Sequence, residues 1–189
     1  NKCRIMERED ALKLLKKYVS NEKMLYHSLS SEAVMKALAN KLNRNVEKWA
    51  LAGLLHDIDV EITNGNPKIH GLKAVEILEE NNIDADIIDA IKMHNEEATD
   101  FERETEFQHA LAAGETITGL IYATALVYPS KKIEDVKVKS VTKRMKQKAF
   151  AASVSRENIL ECEKIGIQLN EFAELALNAM KEIAGDIGL

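Results

Sequence analysis

Only two prolines, Pro67 and Pro129, interrupt the 189 residues of this chain. Proline removes a backbone donor and blocks a helix interior, so its scarcity leaves long stretches free to stay helical. Apolar side chains recur at intervals of three and four almost everywhere, with no run of strand-like alternation, and this spacing predicts roughly nine helices. Eight glycines and 5% aromatic residues agree with that reading, because Ala, Leu, Ile, Glu and Lys dominate what is left and most of them favour helix. Sandwiches and barrels, which need frequent turn residues, are close to excluded. The expected fold is all-α, one compact domain over residues 1–189.

The helices are expected from Glu9 to Ser20, from Lys23 to Leu42, and from an Asn45 cap through Trp49 and Leu55 to His56 and Asp57. A fourth would begin at Pro67 and run to Glu80. A fifth would start at an Asp84 cap and end near His94, and a sixth would span Phe107 to Val127. Three more are expected between Ile133 and Leu189, with Ser155 and Asn170 as caps and Gly166 as a stop. The acidic stretch from Asn95 to Glu106 reads as a solvated loop.

Thirty-one acidic against 26 basic residues leave a net charge of −5. That balance argues against the broad basic footprint of a nucleic-acid binder, so nucleic acid is not an expected partner. Cys3 and Cys162 are too few and too far apart for a disulfide framework or a thiolate zinc site. No apolar run is expected to approach the roughly 18 residues that span a bilayer, and the N-terminus lacks a signal-peptide pattern. The chain therefore reads as cytoplasmic, without a membrane partner; a homo-oligomer is compatible with it.

Four of the five histidines fall beside apolar or small helical neighbours, unusual for a residue that prefers the surface or half-burial. His27 shares a face with Met24, Val34 and Leu38. His56 follows Trp49, Ala52 and Gly53, and His94 follows Ile87, Ala90 and Ile91. His70 aligns with Lys73, Ala74 and Ile77 in the first turn of its helix. Asp57 adjoins His56, and Glu115 lies on a strip with Leu111, Ala112, Thr118 and Gly119, where a free carboxylate would be costly. Imidazoles and carboxylates without thiolates suit Fe, Mn, Co, Ni or Zn. The competing reading is a hydrogen-bonded core cluster, with His70 on the surface. His109, six residues before Glu115, points elsewhere and is expected at the surface, while Met24, Met35 and Met93 are expected in the core. The basic segment from Lys131 to Lys148 reads as a solvated face, with Lys131, Lys132 or Arg156 as the candidates for holding a phosphate.

In their order, His27, His56-Asp57-Ile58, His70, His94 and Glu115 resemble the HD superfamily of metal-dependent phosphohydrolases, in its subgroup with a His-Asp-Ile-Gly motif. The resemblance covers about Lys23 to Tyr128, so residues of about 133–189 would pack on the motif-bearing part. It implies helices surrounding a metal-binding cleft, with His27, His56, Asp57 and Glu115 holding one divalent ion. His70 and His94 would hold a second ion, bridged by Asp57, or contact the departing phosphate. Asp57, His70 and His94 would then be the catalytic residues. The implied reaction is hydrolysis of a small phosphate ester, most simply a nucleotide, by metal-activated water. Asp59 replaces the subgroup's Gly, Glu115 its final Asp, and Asn95 a second His; no Gly-Tyr-Pro follows His94. These departures motivate two alternatives: a catalytically inactive ligand-binding or regulatory domain, and a di-iron oxygenase.

Overall fold

The computed structural model describes residues 5–189, so Cys3 lies outside the described residues. Among those residues there are nine α-helices and no strand. The helices are α1 (Arg8–Tyr18), α2 (Glu22–Leu42), α3 (Val46–Leu55), α4 (Leu72–Glu80), α5 (Ala85–Lys92), α6 (Glu106–Val127), α7 (Val138–Met145), α8 (Arg156–Leu160) and α9 (Leu169–Glu182). Short 3-10 turns occupy Glu96–Ala98, Ile133–Asp135, Glu161–Ile165 and Ala184–Ile187.

Side-chain caps explain several of the helix starts. The Asn21 side chain accepts from the Met24 N–H, Asn45 from Lys48 and Ser155 from Asn158. Each meets a backbone donor that has no partner within its helix. Thr105 and Gln108 cap α6 reciprocally, a pairing that satisfies two such donors at once. Asn43, in the left-handed conformation at φ 53°, ends α2 and lets the chain turn into α3.

The α2–α3 pair and α6 form the frame. α3 packs along α2 with Gly53 set against the backbone of Ser31 and Glu32, and the neighbouring Ser28, Ser30 and Ser31 are buried. α6 runs through the middle, packed by α2, α3, α5, α7, α8 and α9. Its interior face includes Leu111, Ile117, Leu120 and Ile121, all fully buried. The expectation that no apolar run approaches bilayer length is corrected here. α6 has 22 residues and a mean hydropathy of 1.4 over an 18-residue window, long and apolar enough to cross a membrane. Gln108, His109, Glu115 and three threonines interrupt the apolar residues and masked this in the sequence. The core of the fold takes up that apolar character, since 67% of the window is buried.

Several expected boundaries move. α4 begins at Leu72, because Gly71 occupies its N-cap position at φ 93° and the residues after Pro67 form turns. α5 ends at Lys92, which leaves His94 on the turn beyond it. Asp84 stands at the N-cap of α5 without a capping bond; its carboxylate lies 3.1 Å from Lys48 Nζ. Asn170 lies inside α9, with Gln168 at the N-cap position. Met35 and Met93 are buried as expected, whereas Met24 is exposed.

Candidate metal centre

Five separate places in the fold send side chains to one cleft. α2 supplies His27, the end of α3 supplies His56 and Asp57, and the middle of α6 supplies Glu115. The turn before α4 supplies His70 and the turn after α5 supplies His94. His27 Nε2 lies 3.0 Å from His56 Nε2, and His94 Nε2 lies 3.1 Å from His70 Nε2. Asp57 sits between the two pairs. Its Oδ2 is 3.3 Å from His27 Nε2, and its Oδ1 is 3.4, 3.0 and 3.4 Å from the Nε2 atoms of His56, His70 and His94. Glu115 Oε2 is 3.3 Å from His27 Nε2 and 3.7 Å from His56 Nε2.

The outer ring nitrogens determine what the inner ones present. His56 Nδ1 donates to the Gly53 carbonyl at 2.7 Å, and His94 Nδ1 donates to the Ile91 carbonyl. A carbonyl can only accept, so both Nδ1 atoms carry hydrogen. Thr118 gives its hydroxyl hydrogen to the Glu115 carbonyl at 2.6 Å and so accepts from His27 Nδ1 at 3.0 Å. His70 Nδ1 donates to Asp59 Oδ1 at 2.7 Å. Assigned from this network, each neutral ring turns its Nε2 lone pair inward.

Four lone pairs and two carboxylates facing a common space repel one another unless positive charge sits among them. Protons can supply part of it. Burial opposes the charged form of His27, but its hydrogen bond to Glu115 and the charges of Asp57 and Glu115 outweigh that and raise its pKa. For His70 burial is likewise outweighed, by Asp57 and Asp59, and its pKa rises to about 10. Burial would raise the Asp57 pKa, yet His56, His70 and His94 hold it well below the usual carboxylate range. Glu115 is lowered against its burial by His27, His56 and His94.

A metal ion can supply the rest. His27, His56 and Asp57 offer three ligand atoms within 4.8 Å of one another, and Asp57, His70 and His94 offer a second such set. The nitrogen and carboxylate donors fit first-row divalent ions, and the outer hydrogen bonds are of the kind that orient histidine ligands. The residues present therefore could hold a metal.

Asp59, noted in the sequence only as a departure from the resembled motif, is fully buried and holds both His70 and the start of α4. Its signal was a carboxylate set between Ile58 and Val60, where burial demands donors. Asn95 turns away from the ligand role: its Nδ2 donates to the carbonyls of Pro67 at 2.7 Å and His70 at 2.9 Å.

The structure does not bring the expected phosphate-binding cations to this cleft. Lys131 and Lys132 are exposed beyond the end of α6. Arg156 spends its terminal nitrogens on the carbonyls of Ala151, Val154, Arg144, Gln147 and Phe150. The cleft, of about 330 Å³, is lined beside the ligands by uncharged residues that include Thr116, Ser153, Ser155 and Asn158. His109 is also corrected, from surface to buried: its Nδ1 lies 2.6 Å from Glu161, which Arg103 binds as well. A larger groove of about 900 Å³ lies elsewhere, among α1, α2, α3 and α9, and none of the six converging side chains lines it.

Comparison with known proteins agrees with this geometry. The HD domain family matches residues 24–125. Ribonuclease Y of Mycoplasma mycoides subsp. mycoides is 35% identical over 97 residues, which is 51% of this chain and 18% of that protein. Ribonuclease Y of Mycoplasma capricolum is 34% identical over 97 residues, with the same coverage of 51% and 18%. Ribonuclease Y of Mycoplasmoides gallisepticum is 32% identical over 101 residues, covering 47% of this chain and 17% of that protein. The chain thus spans less than a fifth of the length of these relatives. No solved structure matches it. With the family match extending over more than half of its residues and all six converging side chains inside that match, the chain belongs to the HD domain family.

Proposed function

We propose that the protein is a metal-dependent phosphohydrolase acting on a small phosphate ester, in the simplest case a nucleotide. The observation that carries this reading is the convergence of four Nε2 atoms on Asp57 and Glu115. His27, His56, Asp57 and Glu115 would hold one divalent ion, and Asp57, His70 and His94 a second. Bound ions would act as Lewis acids toward a phosphoryl oxygen and lower the pKa of water. Asp57, facing both sets, would orient the attacking water and accept its hydrogen bond. Without a second ion, His70 and His94 would instead contact the departing phosphate through their Nε2 atoms.

The cleft volume of about 330 Å³ supports a small substrate, and its uncharged rim of Thr116, Ser153, Ser155 and Asn158 suits hydroxyl or base hydrogen bonds. This size lies at the lower end for small-molecule pockets. A second reading, a phosphodiester within an RNA strand, is favoured by the likeness to ribonuclease Y.

The test is hydrolysis by purified protein loaded in turn with Mn, Fe, Co, Ni or Zn. Its panel holds nucleoside monophosphates, p-nitrophenyl phosphate, bis-p-nitrophenyl phosphate and an RNA oligonucleotide. Turnover of a small ester supports the first reading, and cleavage of RNA alone replaces it with the second. Stoichiometric metal with no turnover on any of them would favour a regulatory domain.

A further inference from the structure

Asp59 lies two residues beyond Asp57 and has no solvent exposure. A carboxylate taken that far from water needs donors, or its burial is prohibitive. It has three, and its two oxygens serve different ends. Oδ2 accepts from the N–H groups of Gly71 at 2.7 Å and Ala74 at 2.9 Å. It thereby does for α4 what a capping side chain would do, since Gly71 at the N-cap has none. Oδ1 accepts from His70 Nδ1 at 2.7 Å.

His70 differs from the other three histidines of the cleft in this partner. The outer nitrogens of His56 and His94 meet backbone carbonyls, and that of His27 meets a hydroxyl. His70 alone meets a carboxylate, and it stands on a turn outside α4. A carboxylate behind an imidazole fixes the tautomer and ring orientation and strengthens the opposite nitrogen as a ligand. We propose that Asp59 is a positioning residue, which locks His70 with its proton on Nδ1 so that Nε2 faces Asp57 and His94. Loading of the Asp57, His70 and His94 set then depends on Asp59, whereas the His27, His56 and Asp57 set does not. The inference rests on the metal reading of the site.

The variant Asp59→Asn separates this role from capping. Its Oδ1 can still accept from Gly71 and Ala74, but its amide offers hydrogen to His70 Nδ1. The ring proton then moves to Nε2, which can no longer ligate. Metal-free protein titrated calorimetrically with zinc is expected to bind two ions in the wild type. In Asp59→Asn the tighter ion binds as before and the second binds about 10- to 100-fold more weakly.

Two wild-type affinities in Asp59→Asn would overturn the inference. So would equal weakening of both ions, because that pattern belongs to a purely structural residue. Should the variant not fold, long-range nitrogen–proton spectra of zinc-loaded wild type decide the matter: His70 must carry hydrogen on Nδ1, and zinc ligation through Nδ1 overturns the proposal. Uptake of a single zinc by the wild type would overturn this inference and leave the proposed function standing. Uptake of none would overturn both.

Discussion

Gly53 lies so close to Ser31 that a β-carbon at position 53 would sit 2.5 Å from the Ser31 carbonyl oxygen. The next atoms it would meet, the Ser31 carbonyl carbon and the Glu32 nitrogen, are also backbone and cannot swing aside. Gly53→Ala must therefore push α3 away from α2, at a cost of about 1–3 kcal/mol or more, as for other overpacked contacts. Urea unfolding measures it. His27 and His56 are carried by these two helices, so metal content should fall in the same variant; an unchanged urea midpoint would contradict the packing described.

Removing ligands one at a time should sort them into their two sets. Asp57 belongs to both, so Asp57→Ala is expected to abolish metal binding and turnover together. His94→Ala should spare the ion held by His27, His56 and Asp57 and lose the other. Element analysis of purified variants reads the difference. A fully active and metal-free Asp57→Ala protein would sink the metal reading.

The metal-free protein should respond to pH in a stated direction. His70 has its folded pKa raised from 6.5 to about 10. Its contribution to stability is therefore complete below pH 6.5 and lost as pH climbs through about 10. Asp57 and Glu115 are lowered, so theirs is present above the ordinary carboxylate range and lost on acidification. Thermal midpoints recorded without metal should fall between pH 6.5 and 10. Metal uptake must displace the histidine protons, which calorimetry in buffers of different ionisation enthalpy detects as proton release near neutrality. A midpoint that rises across that alkaline range would be the contrary result.

Arg156→Ala tests the corrected role of that residue. Its guanidinium ties the carbonyls of Arg144, Gln147, Phe150, Ala151 and Val154 into one bend. Hydrogen bonds from a charged group are worth about 1.5–3 kcal/mol, so stability should drop by an amount on that order. KM per folded molecule should not change. A large rise in KM with stability intact would restore Arg156 as a phosphate ligand.

Much of this was legible in the sequence, for a physical reason. Helical periodicity put His27, His56, His94 and Glu115 beside apolar neighbours, and polar groups that share a helix face with Val34, Ile87 or Leu111 must find partners inside. Asn45 and Ser155 were readable as caps because their side chains act within three residues. What escaped depended on partners distant in sequence. Asp59 reaches 15 residues forward to the Ala74 N–H, so α4 takes its start from another segment rather than from Pro67. His109 was set aside by its six-residue offset from Glu115, which says where it does not point and nothing about Glu161 on its other side. The charge of Arg156 suggested an anion, but sequence cannot tell a free guanidinium from one whose terminal nitrogens are already held by carbonyls.

The position of Asp57 between the two histidine pairs carries one more consequence. A single carboxylate that faces four imidazole nitrogens at 3.0–3.4 Å cannot serve either set independently. Whatever cation settles on one side withdraws negative charge from the other, so the two halves fill in unequal steps, as coupled acids lose their protons. The zinc titration would resolve those steps. The centre is thus a single electrical unit with two seats, and its affinity for the second occupant is set in part by the first.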